Sequence, residues 1–173
     1  MPTPSAVLVP CFRDAAGQLR LVLVLRAPGG IHGNQLGLPG GRWEPRDGSL
    51  LETALREAEE EIGLPRDAVE LLAELEPLAT VVSDYVVQPF LARISPPAEW
   101  LPARGEIVAV VAPTVAALAA DEARALREVT VERRPGPLLV DSILLEQEPP
   151  LWGFTLRLLD PLLPRLLAGE WPV

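Results

Sequence analysis

Residues 40–64 read GGRWEPRDGSLLETALREAEEEIGL, and within them REAEEEIGL at 56–64 sets three carboxylates on one side of a single helical turn. Glu57, Glu60 and Glu61 stand at i, i+3 and i+4, so their side chains lie over neighbouring points of a helix surface. Such a cluster repels itself unless a cation sits on it. Carboxylate oxygens at this spacing suit a hard divalent ion such as Mg²⁺, which accepts a few carboxylates and keeps water or phosphate in its other positions. The cluster is read as a metal site.

The surrounding residues fix how the acids are presented. Leu51, Ala54, Leu55, Ala58 and Ile62 follow the helical period and form an apolar stripe that must pack on a core. With 100° per residue, Glu57 and Glu61 fall at the edge of that stripe and Glu60 just beyond it, at a cleft rim. Ser49 and Glu52 form a capping box, and Gly63 followed by Pro65 stops the chain, so the spacing predicts a helix over residues 50–62. Just upstream, Gly40 and Gly41 allow a phosphate or metal to approach the main chain closely. A lone run of glutamates is more simply a solvated helix face. A strand, a Gly-Gly turn, a loop and an acidic helix in that order say more.

That combination resembles the Nudix box of the Nudix hydrolases, G-x5-E-x7-R-E-U-x-E-E-x-G-U with U aliphatic. Arg56, Glu57, Glu60, Glu61, Gly63 and Leu64 match, with the small Ala58 at the first U. Between Gly41 and Arg56 the chain carries one residue more than the motif, and the box's first Glu is replaced around Asp47 and Gly48. The longer loop resembles the coenzyme A pyrophosphatase branch, in which a G-G-x-x-x-P-x-D segment is followed by T-A-x-R-E, as Thr53 to Glu57 do here. LWGFTLRLL at 151–159 and GEIVAVVAPTVAAL at 105–118 resemble further segments of that branch. Upstream, LVLVLRAPGGIHGNQLGLPGG matches its signature in part: Arg26 and Ala27 fit, the second Arg is missing, and Leu38 stands where Phe is usual. The resemblance spans residues 21–163. It implies an α/β/α sandwich built on a mixed β-sheet, and hydrolysis of a nucleoside diphosphate derivative with Mg²⁺ or Mn²⁺.

Composition is consistent with one domain over residues 1–173, since 49% apolar content supplies a sizeable core. The net charge of −9 and the lack of any basic run argue against nucleic-acid binding. The longest apolar run, near residues 107–120, is broken by Pro113 and is too short for a membrane span. The first residues lack the positive start of a secretion signal, so a cytoplasmic protein is expected, with a small-molecule nucleoside diphosphate as partner and a homodimer left open. Cys11 has no second cysteine to pair with and reads as a small core hydrophobe; His32 reads as a loop imidazole.

Periodicity predicts strands at residues 6–12 and 18–26 joined by a turn at 14–17, then at 69–75, 78–82, 85–94, 106–111, 128–133 and 138–145. A short helix is expected at 115–120, and a final amphipathic helix at 154–167 kinked by Pro161 and Pro164.

The site expected on this reading has Glu57 and Glu61 as metal ligands, aided by Glu60 and the carbonyl of Gly41. Glu60 is a candidate base for the attacking water, and Glu106, at a loop-to-strand junction, is a second. Arg56 orients, pairing with Glu60 at i+4 and reaching back to Glu52. Lysine is absent, so arginine must meet the phosphates. Arg26 and Arg42 flank the Gly40–Gly41 turn and are the candidates, with Arg26 favoured for the 3′-phosphate of coenzyme A. Trp43 is either an adenine platform or a rim aromatic, and Trp152 packs the last helix. Nudix pyrophosphatases acting on ADP-ribose, NADH or a dinucleoside polyphosphate are the alternative within the enzyme class. A nucleotide-binding sensor domain that does not cleave is the alternative outside it.

Overall fold

The computed structural model describes residues 3–29, 33–80, 84–130, 135–146 and 148–173. In chain order the strands are β1 Thr3–Arg13, β2 Leu19–Leu21, β3 Leu23–Arg26, β4 Leu36–Gly37, β5 Gly40–Arg42, β6 Val69–Glu74, β7 Leu78–Ala79, β8 Tyr85–Ile94, β9 Ile107–Val111, β10 Arg124–Val129, β11 Leu138–Ile143 and β12 Leu151–Trp152. The helices are α1 Leu50–Ile62, α2 Val115–Ala119, α3 Gly153–Leu159 and α4 Leu163–Leu167.

β1 organises the molecule. It runs parallel to β8 and antiparallel to both β2 and β5, and β8 carries β6 and β7 antiparallel on its other edge. Because successive side chains of a strand point to opposite faces, β1 feeds two cores at once. Ala6 and Leu8, with Phe90, Ala92 and Ile94 of β8, pack on Ala54, Ala58 and Ile62 of α1. Val9, Cys11 and Leu91 face the other way, toward Leu158, Leu159, Leu162, Leu163 and Leu166. Helices therefore cover both faces of a mixed sheet, the expected α/β/α arrangement. Each fully buried Leu or Ile stabilises by roughly 1.5–3 kcal/mol relative to exposure, and Ile62, with no accessible surface, anchors the acidic helix.

Two smaller antiparallel sheets, β4-β3-β9 and β10-β11-β12, complete the fold. The strand predicted at 18–26 is in fact divided between sheets. Leu21 N–H donates to the Pro113 carbonyl and Val22 N–H to the Pro10 carbonyl, so the backbone changes neighbours and β3 continues against β9. The turn before β2 is as expected, with Asp14 accepting from the N–H groups of Ala16 and Gln18.

Three other expectations are corrected. The strand placed at 128–133 begins earlier, at Arg124, where it pairs with Ile143; alternating charges on this half-exposed hairpin concealed its start. The final helix is two helices. Pro161 lies in the break between them, and Pro164 sits in the first turn of α4, where a missing N–H costs nothing, so it starts a helix instead of kinking one. β7 ends at Ala79, and residues 81–83, like 131–134 and His32, lie outside the described residues. Among the described residues no helix is long and apolar enough to cross a membrane.

Candidate functional site

α1 spans Leu50–Ile62 as its capping signals require. Ser49 Oγ accepts the Glu52 N–H at 3.2 Å. At the other end Gly63 takes φ 68°, its N–H reaching the Glu59 carbonyl while Leu64 N–H reaches Ala58, so these two carbonyls are satisfied. Only half of the capping box is made, because the Glu52 carboxylate turns to Arg66. The helix places Glu61 inside the protein, Glu57 at the inner edge and Glu60 at the rim, with side-chain exposures of 5%, 18% and 50%.

A second buried charge on the helix is one that periodicity did not flag. Arg56 lies under the loop between β5 and α1, and its Nε and Nη2 donate to the two carboxylate oxygens of Asp47 at 2.8 and 3.0 Å. Nη2 also reaches the Arg42 carbonyl, and Nη1 donates to Glu57 and Glu60, each at 2.9 Å. Asp47 in turn accepts from Thr53 Oγ1 and from the Glu44 N–H. The Arg56 guanidinium beside it holds the Asp47 carboxyl well below the usual carboxylate range, against the opposing effect of burial. The expected Arg56–Glu60 pair is present. The Arg56–Glu52 pair is not, since Glu52 points away toward Arg66 and Asp47 takes that place. Asp47 thus stands as the acid that Arg56 grips, and Arg46, with its Nη2 3.2 Å from Glu60, adds a partner the sequence did not single out.

The Gly-Gly turn presses the main chain onto the acids. A Cβ on Gly41 would run into the Glu57 carboxylate, and one on Gly40 would strike the Ala6 carbonyl oxygen. Gly40 N–H donates to Glu61 Oε2 at 3.0 Å, while Arg26 Nη1 meets Glu61 Oε1 at 3.0 Å. Burial pushes the carboxyl groups of both Glu57 and Glu61 above their ordinary value, with Arg56 and Arg26 respectively opposing that rise.

The remaining candidates lie around this centre. Arg42 is exposed, with its guanidinium 5.1 Å from the centre of the Tyr85 ring. Trp43 is 39% exposed and its indole N–H caps the Asp47 carbonyl, which makes it a rim aromatic. Glu106 is exposed immediately before β9, and its carbonyl accepts from Ala27 N–H at 2.7 Å, which ties it to the end of β3 beside Arg26. Cys11 is fully buried and its thiol is pushed up to about 12 by that burial, which agrees with a core role.

The donor set fits a small hard cation. It consists of carboxylate oxygens on one helix edge, two of them desolvated, against a glycine backbone with no Cβ between. Among the described residues no three Asp, Glu, His or Cys side chains form a ready-made cage, and guanidinium groups engage Glu57, Glu60 and Glu61. A Mg²⁺ ion held by one or two carboxylates together with substrate phosphates needs no such cage.

The family model described as the NUDIX domain matches residues 2–133. The chain belongs to the Nudix family. Proteins named "Uncharacterized Nudix hydrolase NudL" are its relatives. The one from Yersinia enterocolitica is 46% identical over 63 residues, covering 36% of this chain and 32% of that protein. The one from Salmonella paratyphi B is 37% identical over 107 residues, or 61% and 54%. The matches thus span about half or less of these relatives' length. Among solved structures, a MutT/nudix family protein from Enterococcus faecalis aligns with TM-score 0.65 at 19% identity over 97% of this chain and 63% of that one. The NUDIX domain of Shewanella oneidensis NrtR, solved with ADP ribose, aligns with TM-score 0.63 at 19% identity over 96% and 89%. At such identities the structural likeness speaks for the Nudix fold.

Proposed function

We propose that this Nudix domain is a cytoplasmic, divalent-metal-dependent hydrolase of the diphosphate linkage in a nucleoside diphosphate derivative, with coenzyme A or its thioesters as substrate and 3′,5′-ADP and 4′-phosphopantetheine as products. The observation that carries the reading is the placement of Glu57 and Glu61 against the Gly40–Gly41 backbone, with Asp47 and Arg56 locked beneath them. Mg²⁺ or Mn²⁺ would be held by Glu57 and Glu61, with Glu60 and the Gly41 carbonyl as further donors. When bound, it neutralises the diphosphate and lowers the pKa of water enough to yield a nucleophile near neutral pH.

The chain's own residues do the rest. Arg56 orients Glu57 and Glu60 through one shared nitrogen, so both acids present a fixed oxygen toward the cleft. Glu60, half exposed at the rim, or Glu106, exposed immediately before β9, accepts the proton of the attacking water. Arg26 and Arg42 border the turn and meet phosphate oxygens. The inward contact of Arg26 with Glu61 supports a role toward a diphosphate over the acids in preference to the 3′-phosphate of coenzyme A.

Support for coenzyme A comes from the lengthened segment between Gly41 and Arg56, which Asp47 closes onto Arg56, and from the resemblance of residues 105–118 and 151–159 to the coenzyme A pyrophosphatase branch. The test is to incubate the purified chain and Mg²⁺ or Mn²⁺ with coenzyme A, dephospho-coenzyme A, ADP-ribose, NADH and a dinucleoside polyphosphate, identifying products by mass. Fastest release of 3′,5′-ADP from coenzyme A supports the assignment. Faster hydrolysis of ADP-ribose removes it and leaves the Nudix reaction class, and tight binding without turnover of any compound favours a sensor.

A further inference from the structure

Arg26 ends β3 where the pairing with β9 slips. Leu25 faces Ala109, but Arg26 faces Ile107, so one residue of β9 is passed over. Such a bulge re-aims a side chain, and the backbone around it is fixed on both sides. Arg26 N–H donates to the Gln35 carbonyl, the Arg26 carbonyl accepts from Asn34 N–H, and Ala27 N–H donates to the Glu106 carbonyl.

The guanidinium that this bulge directs inward lies between two oxygen acceptors. Nη1 is 3.0 Å from Glu61 Oε1, and Nη2 is 3.4 Å from the Gly40 carbonyl. The Glu61 side chain is only 5% exposed. A carboxylate so far from water is costly without a cation beside it, and among the described residues Arg26 is the cation that contacts it.

We propose that Arg26 is the resident counter-cation of Glu61 in the metal-free protein, a positioning residue that holds the carboxylate against the Gly40 turn and competes with the divalent ion for it. This rests on the metal-dependent reading above. The same oxygen cannot serve a guanidinium and a metal equally well, so metal binding must weaken the Arg26–Glu61 contact. Arg26 is then released toward the opening, where a diphosphate is the natural new partner. Metal and diphosphate would each favour the binding of the other, because each relieves the cost of separating this pair.

The test is calorimetric titration of Mn²⁺ alone into the full chain and into Arg26→Gln, with melting curves taken in parallel. Removal of the competitor should tighten Mn²⁺ binding about tenfold, while the metal-free variant melts earlier than wild type and Mn²⁺ restores most of the difference. Equal or weaker Mn²⁺ binding by Arg26→Gln, with wild type binding normally, overturns the assignment and leaves the metal site standing. No Mn²⁺ binding by either protein removes the metal reading and this proposal with it. Should Arg26→Gln fail to fold without metal, Arg26→Lys carries the same test. It keeps the charge but loses the two-pronged contact, and it should bind Mn²⁺ more tightly than wild type, whereas unchanged affinity counts against the proposal.

Discussion

Arg56 and Asp47 meet through two parallel hydrogen bonds, Nε to Oδ1 at 2.8 Å and Nη2 to Oδ2 at 3.0 Å, with both side chains less than one-tenth exposed. The pair joins the loop before α1 to the helix itself. The remaining guanidinium nitrogen is thereby committed to Glu57 and Glu60, so the acids of the site are oriented by a residue that need not touch substrate.

Removing Asp47 should therefore cost more than a surface acid would. Asp47→Ala leaves Arg56 buried with its strongest partner gone, and a loss of about 3 kcal/mol or more in unfolding free energy is expected. Thr53→Val, which deletes one hydrogen bond to Asp47, should cost about 0.5–1.5 kcal/mol. Denaturant titration measures both. An Asp47→Ala loss no greater than that of Thr53→Val would mean that the pair does not fix the loop.

The same pair sets an acid limit. Asp47 titrates lower in the folded chain than in the unfolded one, first because of the Arg56 hydrogen bonds. Its stabilisation is thus present above the unfolded value of about 3.9 and is lost as pH falls toward the folded value. Glu57 and Glu61, raised chiefly by burial, act with the opposite sign: their contribution is present below about 4.3 and is lost as pH rises through their folded values. In metal-free buffer, melting temperatures measured against pH should fall below about pH 4 for wild type and stay flatter for Asp47→Asn. Parallel profiles for the two proteins would show that Asp47 is not the group responsible.

Glu106 offers a separate check on the proton acceptor. It stands outside the Arg56 network, tied to β3 only through its backbone. Glu106→Gln should lower kcat while leaving Mn²⁺ affinity and the melting temperature near wild type. Loss of Mn²⁺ binding would make Glu106 a ligand, and unchanged kcat would leave Glu60 as the acceptor.

Periodicity and capping made α1 legible residue for residue, because local signals decide a helix that starts at Ser49 and stops at Gly63. That Glu60 is more exposed than Glu57 and Glu61 followed from the same geometry, whereas the deeper burial of Glu61 relative to Glu57 did not. Tertiary partners were not legible in this way. Asp47 lies nine residues before Arg56, outside any helical spacing, and only the folded loop brings them together. The signal that could have found it was there: an acid near the position of the motif's first Glu, followed by Thr53. Likewise nothing in the run LRLVLVLR announces that the chain leaves one sheet for another at Val22, since the acceptors that divide it, the carbonyls of Pro10 and Pro113, are remote in sequence or belong to another strand. Arg26 could be placed beside the turn, but its inward contact with Glu61 depends on the bulge against β9.

On the proposed function, α1 holds the divalent ion for diphosphate hydrolysis through Glu57 and Glu61. The most direct measurement is the rate of product formation from coenzyme A over a range of Mn²⁺ concentrations for wild type, Glu57→Gln and Glu61→Gln, with circular dichroism confirming the fold. The metal supplies several kcal/mol of transition-state stabilisation, and about 1.4 kcal/mol corresponds to tenfold in rate. Each variant should therefore lose about two orders of magnitude or more at limiting Mn²⁺, with α1 intact and the metal-free melting temperature of Glu57→Gln unchanged or higher. Near wild-type turnover by either variant at limiting Mn²⁺ would contradict the assignment.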